Sequence, residues 1–123
     1  MKIRIKGNSV RLRLSRPEME LFEKEGYLEE KTEFPDNTFC YAIQKLFDGH
    51  SLGASFTGQK LTVFVPKAVT QEWVYTDVVG FSHYLPLRED KTLFLLVEKD
   101  YKCIDGDETE DQSEYYDNPI KIC

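Results

Sequence analysis

The sequence predicts an α+β domain, mostly antiparallel β with two short helices, in which a tandem pseudo-symmetric ββαββ repeat forms one barrel-like or sandwich core. Three observations point there. First, the chain matches itself at an offset of about fifty residues. Gly7-Asn8-Ser9-Val10-Arg11-Leu12-Arg13-Leu14 falls on Gly58-Gln59-Lys60-Leu61-Thr62-Val63-Phe64-Val65. Phe22 then falls on Trp73, Tyr27-Leu28 on Val78-Val79 and Phe34-Pro35 on Leu85-Pro86. After a three-residue insertion, Thr38-Phe39 falls on Thr92-Leu93, with Tyr41 and Ile43 over Leu95 and Val97. Second, apolar residues alternate with period two over most of these segments, as half-buried strands require. Third, a helix start signal lies between hairpins: Ser15-Arg16-Pro17-Glu18 reads as a capping box with proline in the first turn.

Taken in order, Ile3–Lys6 and Val10–Leu14 read as strands joined through Gly7-Asn8-Ser9. Alternation sends Ile3, Ile5, Val10, Leu12 and Leu14 inward and Lys2, Arg4, Lys6, Arg11 and Arg13 outward. The helix runs to about Glu25 and stops at Gly26, with Met19 and Phe22 on its inner face. Tyr27–Phe34 and Thr38–Leu46 form a hairpin about Pro35-Asp36-Asn37. The turn Phe47-Asp48-Gly49-His50 leads into the second copy. There, strands are expected near Leu52–Thr57 and Lys60–Val65, then a helix near Lys67–Val74 carrying Val69 and Trp73 inward. Strands near Val78–Leu85 and Thr92–Lys99 close the unit. Leu93 to Val97 is apolar at every position, which predicts cover on both faces of that strand. Residues 1–50 and 51–102 are thus two halves of one domain, and 103–123 is an acidic tail expected to dock in part, through Tyr115-Tyr116 and Ile120–Ile122.

A chain of 123 residues suits one modest core, and aromatics at 13% are enough to fill it. No apolar run approaches the roughly 20 residues of a membrane span, and Met1–Lys6 alternates where a signal peptide needs an unbroken apolar stretch. The expected location is the cytoplasm. Three cysteines, Cys40, Cys103 and Cys123, form no CxxC pair, which fits a reducing compartment.

The net charge of −6 is concentrated. Residues 1–102 hold equal numbers of acids and bases, whereas 103–123 hold seven acids and one lysine. The first seventeen residues carry six Lys or Arg and no acid. Segregation of this kind implies a basic surface for an anionic or protein partner, or a tail that folds back onto it. The candidate binding residues are Arg4, Lys6, Arg11, Arg13 and Arg16. The plain alternative is a solvated face paired with acids such as Glu29, Glu33 or the tail, each pair contributing about 0–1 kcal/mol.

The strand Gly58-Gln59-Lys60-Leu61-Thr62-Val63-Phe64-Val65-Pro66-Lys67, ending in proline before a short helix, resembles the swapped-hairpin domains of AbrB-type transition-state regulators and MazE-like antitoxins. The resemblance implies a dimer-like arrangement of the two halves within one chain. It also implies DNA contact from Lys6, Arg11, Arg13 and Arg16, whereas the second copy has Thr62, Phe64 and Lys67 at the last three of those positions and Gly58 just after the first. The whole chain looks like a group of small uncharacterised bacterial proteins, through Leu95–Asp100 with Cys103, Glu110-Asp111-Gln112-Ser113 and Asn118-Pro119. That likeness implies no activity, cofactor or ligand.

Catalytic motifs are not found. Asp105-Gly106-Asp107-Glu108 fails the EF-hand pattern, because Glu110 stands where glycine belongs and Tyr116 where the bidentate Glu belongs. The three cysteines and two histidines match no zinc spacing, and no phosphate loop or nucleophile elbow is present. His50 belongs to a turn, and His83 alternates with Phe81 and Leu85 as a structural strand residue. The leading expectation is a small non-enzymatic binding module, monomeric or homodimeric, needing no metal or cofactor. DNA binding of the AbrB or MazE kind is the second reading, and an enzyme with a cleft between the halves, using His83, is the third.

Overall fold

In the computed structural model, which describes residues 1–101, the alternating segments become strands and the capping box opens a helix. The order is β1 (Lys2–Ile5), β2 (Ser9–Leu14), α1 (Arg16–Glu25), β3 (Tyr27–Glu33), β4 (Thr38–Leu46), β5 (Gly53–Thr57), β6 (Lys60–Pro66), α2 (Lys67–Tyr75), β7 (Gly80–Pro86) and β8 (Thr92–Lys99). Ser15 caps α1: its hydroxyl accepts from the Glu18 amide, and Glu18 accepts from the Ser15 amide at 2.8 Å. Gly26 ends that helix in the left-handed region, at φ 75°, where a side chain would be strained.

The strands form two four-stranded sheets rather than a closed barrel. Sheet I has the order β1-β2-β8-β7 and sheet II the order β3-β4-β6-β5. Each hairpin is antiparallel, but the hairpins meet through parallel contacts, β2 with β8 and β4 with β6. The halves have therefore exchanged hairpins: the first hairpin of each half is completed by the second hairpin of the other. The register repeats with the exchange. Ile3↔Leu12 and Ile5↔Val10 in sheet I correspond to Ala54↔Val63 and Phe56↔Leu61 in sheet II. Val10↔Leu95 and Leu12↔Val97 correspond to Leu61↔Tyr41 and Val63↔Ile43. Even irregular hydrogen bonds recur, Phe94 N to Asn8 O at 3.1 Å and Cys40 N to Gln59 O at 2.9 Å.

The register corrects part of the sequence alignment. Leu28↔Ile43 corresponds to Phe81↔Val97, so Leu28 matches Phe81 and not Val79. Phe34 matches Leu87, as their amides show by bonding Asn37 O and Lys91 O across the two turns. Most of the insertion thus lies between α2 and β7, where it carries the chain past Trp73, whose indole donates to Val79 O at 3.0 Å.

One core draws on both sheets and both helices. Leu12, Leu14, Phe22, Ile43, Val65, Trp73, Leu95 and Val97 are fully buried within it. Phe22 and Trp73, the matched helix residues, meet edge to face with ring centroids 6.4 Å apart. Offset or edge-on aromatic pairs add about 0.5–1.5 kcal/mol beyond the area they bury. Val69, expected inward on α2, only packs against this core. Thr70 is the residue fully buried beside Trp73, its hydroxyl satisfied by Pro66 O at 3.0 Å. Among the described residues, no helix is long and apolar enough to cross a membrane.

Candidate functional site: the outer face of sheet I

The basic hairpin lies at one side of sheet I with its cations facing away from the core. Register sets Arg4 directly opposite Arg11 and Lys2 opposite Arg13. Like charges directly opposite are unfavourable by a few tenths of a kcal/mol up to about 1. The next strand supplies the relief. Glu98 on β8 is paired in register with Arg13, bonds its Nε at 2.5 Å and lies 3.6 Å from Arg11 Nε. Lys2 reaches Asp100 at 2.8 Å, just past the end of β8. Arg4 is partnered as well. Glu29 and Glu33, the acids expected to pair with the ribbon, lie on β3 in the other sheet.

Not every candidate shares the face. Lys6 lies beyond β1 in the turn, its amide bonding Ser9 O. Arg16 is the first residue of α1, exposed and off the hairpin. The group on the sheet itself is Lys2, Arg4, Arg11 and Arg13.

Across the parallel β2–β8 contact the face changes character. Arg11 pairs with Leu96 and Ser9 with Phe94; beyond them, Leu96 pairs with Ser82 and Phe94 with Tyr84 on β7. Phe94 and Leu96 are only half-buried, so the cover predicted for both sides of β8 is complete only on the core side, at Leu95 and Val97. Tyr84 is 64% exposed and its ring lies 4.8 Å from that of Phe94. A cationic half and an aromatic half therefore share one exposed sheet surface. No aromatic residue interleaves with the ribbon along the chain; Tyr84 and Phe94 are distant in sequence, and only the exchanged hairpin brings them beside β2.

The remaining titratable clusters are internally satisfied. On the outer face of sheet II, the buried Cys40 thiol and the Tyr27 hydroxyl donate to Glu29 Oε2 at 3.3 and 2.9 Å, and Lys60 lies 3.6 Å from the same oxygen. Burial, then the Glu29 carboxylate, push the Cys40 thiol up. It is a poor nucleophile near neutral pH, since the thiolate is the reactive form. Near the β1 start, the Met1 ammonium contacts Glu18 and Glu30, and Tyr41 shares its proton between Met1 O and Glu30. Burial, then Glu30, push Tyr41 up to about 12. By the repeat, the matching places in the second half hold Leu52, Val69, His83 and Leu95. His83 is thus the counterpart of Glu30, set opposite Leu95.

An open cavity of about 530 Å³ lies at the end of α1, lined by Lys24, Tyr27, Gln44, Lys45 and Phe47. Lys45 Nζ is already committed to Glu23 O at 2.7 Å, where the helix leaves carbonyls unpaired. His50 is exposed in the turn before β5, and neither histidine lines this cavity. No group of three or more His, Cys, Asp or Glu able to hold a metal ion occurs among the described residues. Cys103, Cys123 and the acidic run from Asp105 lie outside the described residues.

Comparison with known proteins gives one match. A model for a family of unknown function, DUF7009, covers residues 1–120, and the chain belongs to that family. No curated protein and no solved structure matches it.

Proposed function

We propose that this DUF7009 member is a non-enzymatic interaction module whose sheet I face takes an acidic polypeptide segment carrying aromatic side chains. The observation that carries the reading is the parallel β2–β8 contact, which sets Arg11 beside Leu96 and Ser9 beside Phe94 on one exposed surface. Arginine clusters recognise acidic segments through paired, charge-assisted hydrogen bonds, and the Tyr84–Phe94 edge offers an apolar seat for a ring. Peptide is favoured over nucleic acid because its sparser charge is repelled less than dense phosphate by Glu98, Asp100 and the chain's net −6, and because the Tyr84–Phe94 edge seats a side chain. The test is fluorescence anisotropy with a labelled acidic peptide bearing two tyrosines. Salt-sensitive binding is expected, weakened about tenfold, roughly 1.4 kcal/mol, by Arg11→Ala. Binding indifferent both to salt and to Arg11→Ala overturns it.

A second reading, duplex DNA contacted as in AbrB or MazE proteins, draws support from the exchanged hairpins. It predicts tighter binding to duplex DNA than to the peptide at equal ionic strength, which the same titration measures.

A further inference from the structure

We infer that the first occupant of the sheet I face is this chain's own segment 103–123, docked in cis so that an outside partner must displace it. The inference rests on the interaction reading above and adds its regulation. Three observations support it. The first is charge: the face presents Lys2, Arg4, Arg11 and Arg13, while 103–123 holds seven acids and one lysine. The second is where the chain leaves the sheet. Asp100 bonds Leu14 O through its amide at 2.8 Å and pairs with Lys2, so the segment departs at the cationic end of the face. The run from Asp105 to Asp111 follows within a few residues of that point. The third is order along the chain. Tyr115-Tyr116 comes after the acids, just as the Phe94–Tyr84 row lies beyond the Arg13–Glu98 row, four residues back along β8. Four residues of strand span about 13 Å, whereas the residues after Tyr101 reach on the order of 70 Å when extended. Length therefore does not limit docking, and the sequence of charges then rings matches the surface.

The experiment uses the full chain carrying Cys103→Ser, with a nitroxide attached at Cys123, and reads amide signals by NMR. The inference expects broadening of the Arg11, Leu96 and Tyr84 signals in dilute solution, with sheet II little affected, and recovery at high salt. Broadening confined to sheet II, no broadening at all, or broadening seen only between separate copies overturns it. A second variant, Asp105→Asn, Asp107→Asn, Glu108→Gln, Glu110→Gln and Asp111→Asn, should abolish the broadening and raise affinity for the acidic, tyrosine-bearing peptide at least tenfold. The two claims separate cleanly. Peptide binding that is equal in both proteins, without broadening, ends the docking inference and leaves the interaction reading. Broadening without peptide binding to the amide variant ends the interaction reading and leaves the docking.

Discussion

The Phe22–Trp73 contact is where the two halves touch through equivalent residues, and a double-mutant cycle there measures whether the core is shared. Alanine is too severe: deleting a buried Phe or Trp costs about 3–5 kcal/mol, against a total of about 5–15 for a chain this size. Phe22→Leu and Trp73→Phe keep most of the volume. Trp73→Phe also removes the indole donor to Val79 O, but that carbonyl still accepts from the Lys99 amide at 2.8 Å. No orphaned acceptor results, and the loss is that of an ordinary hydrogen bond, about 1 kcal/mol, plus a small void. Each single change should therefore cost about 1–2 kcal/mol. The rings meet at 64° and 6.4 Å; because Trp73→Phe keeps a ring opposite residue 22, the coupling between the two substitutions should be only part of what an aromatic pair contributes, about 0.5 kcal/mol. Urea denaturation followed by far-UV circular dichroism is the assay, because Trp73 is the only tryptophan and fluorescence would be lost with it. Unchanged m-values and a clear coupling are expected. Additivity within about 0.3 kcal/mol would refute the claim that the halves pack through this pair.

Other outcomes follow from the same geometry. Glu98→Gln removes the carboxylate between Arg11 and Arg13 and should destabilise the fold by about 1 kcal/mol, discounted for partial exposure, while tightening acidic-peptide binding; unchanged affinity would argue against the face. Gly80→Ala drives a Cβ into Val97 O and the Glu98 backbone, and since backbone cannot yield cheaply the cost should reach roughly 3 kcal/mol in a urea titration. Burial alone would raise the Glu18 pKa, but hydrogen bonds from the Met1 ammonium and from Ser15 hold it below 4.5. A carboxylate depressed in this way stabilises fully above its unfolded value and loses that contribution as pH falls below about 4.5. Glu18→Gln should accordingly flatten the acid limb of stability against pH; an unaltered limb would remove Glu18 from the account. In a spectrophotometric titration Tyr41 should ionise only near 12.

Much of the fold was legible because it rests on local signals. Alternation, one continuous apolar run and the turn residues between them located the eight strands of residues 1–101 to within a residue or two, and Ser15, Glu18 and Gly26 fixed the ends of α1. The repeat showed in Gly7 and Gly58, whose turns need φ of 53° and 61°. Pairing between hairpins was another matter. Nothing in Leu12 or Val97 states that they are parallel neighbours, because any apolar strand would satisfy the alternation. The two-residue slip at β7 was hidden for the same reason: Val79, Phe81 and Leu85 alternate equally well in either register.

The site was legible by half. The cations were visible from composition and alternation in Lys2–Arg13. Tyr84 and Phe94 were not, since their place beside the cations depends on the exchanged hairpin. Likewise Glu98 could be named as an acid but not as the partner of Arg11 and Arg13. One signal was available: the outward parity of Phe94, Leu96 and Glu98 on an all-apolar strand marks a face that needs a neighbour.

The most direct test of the exchange is a methyl NOESY spectrum on selectively labelled protein. The account predicts contacts between Leu12 and Val97 and between Val63 and Ile43, from the parallel β2–β8 and β4–β6 pairs. Strand-neighbour contacts joining β2 to β4 and β6 to β8 instead would show each half closing on itself, and would contradict both the fold and the face built upon it.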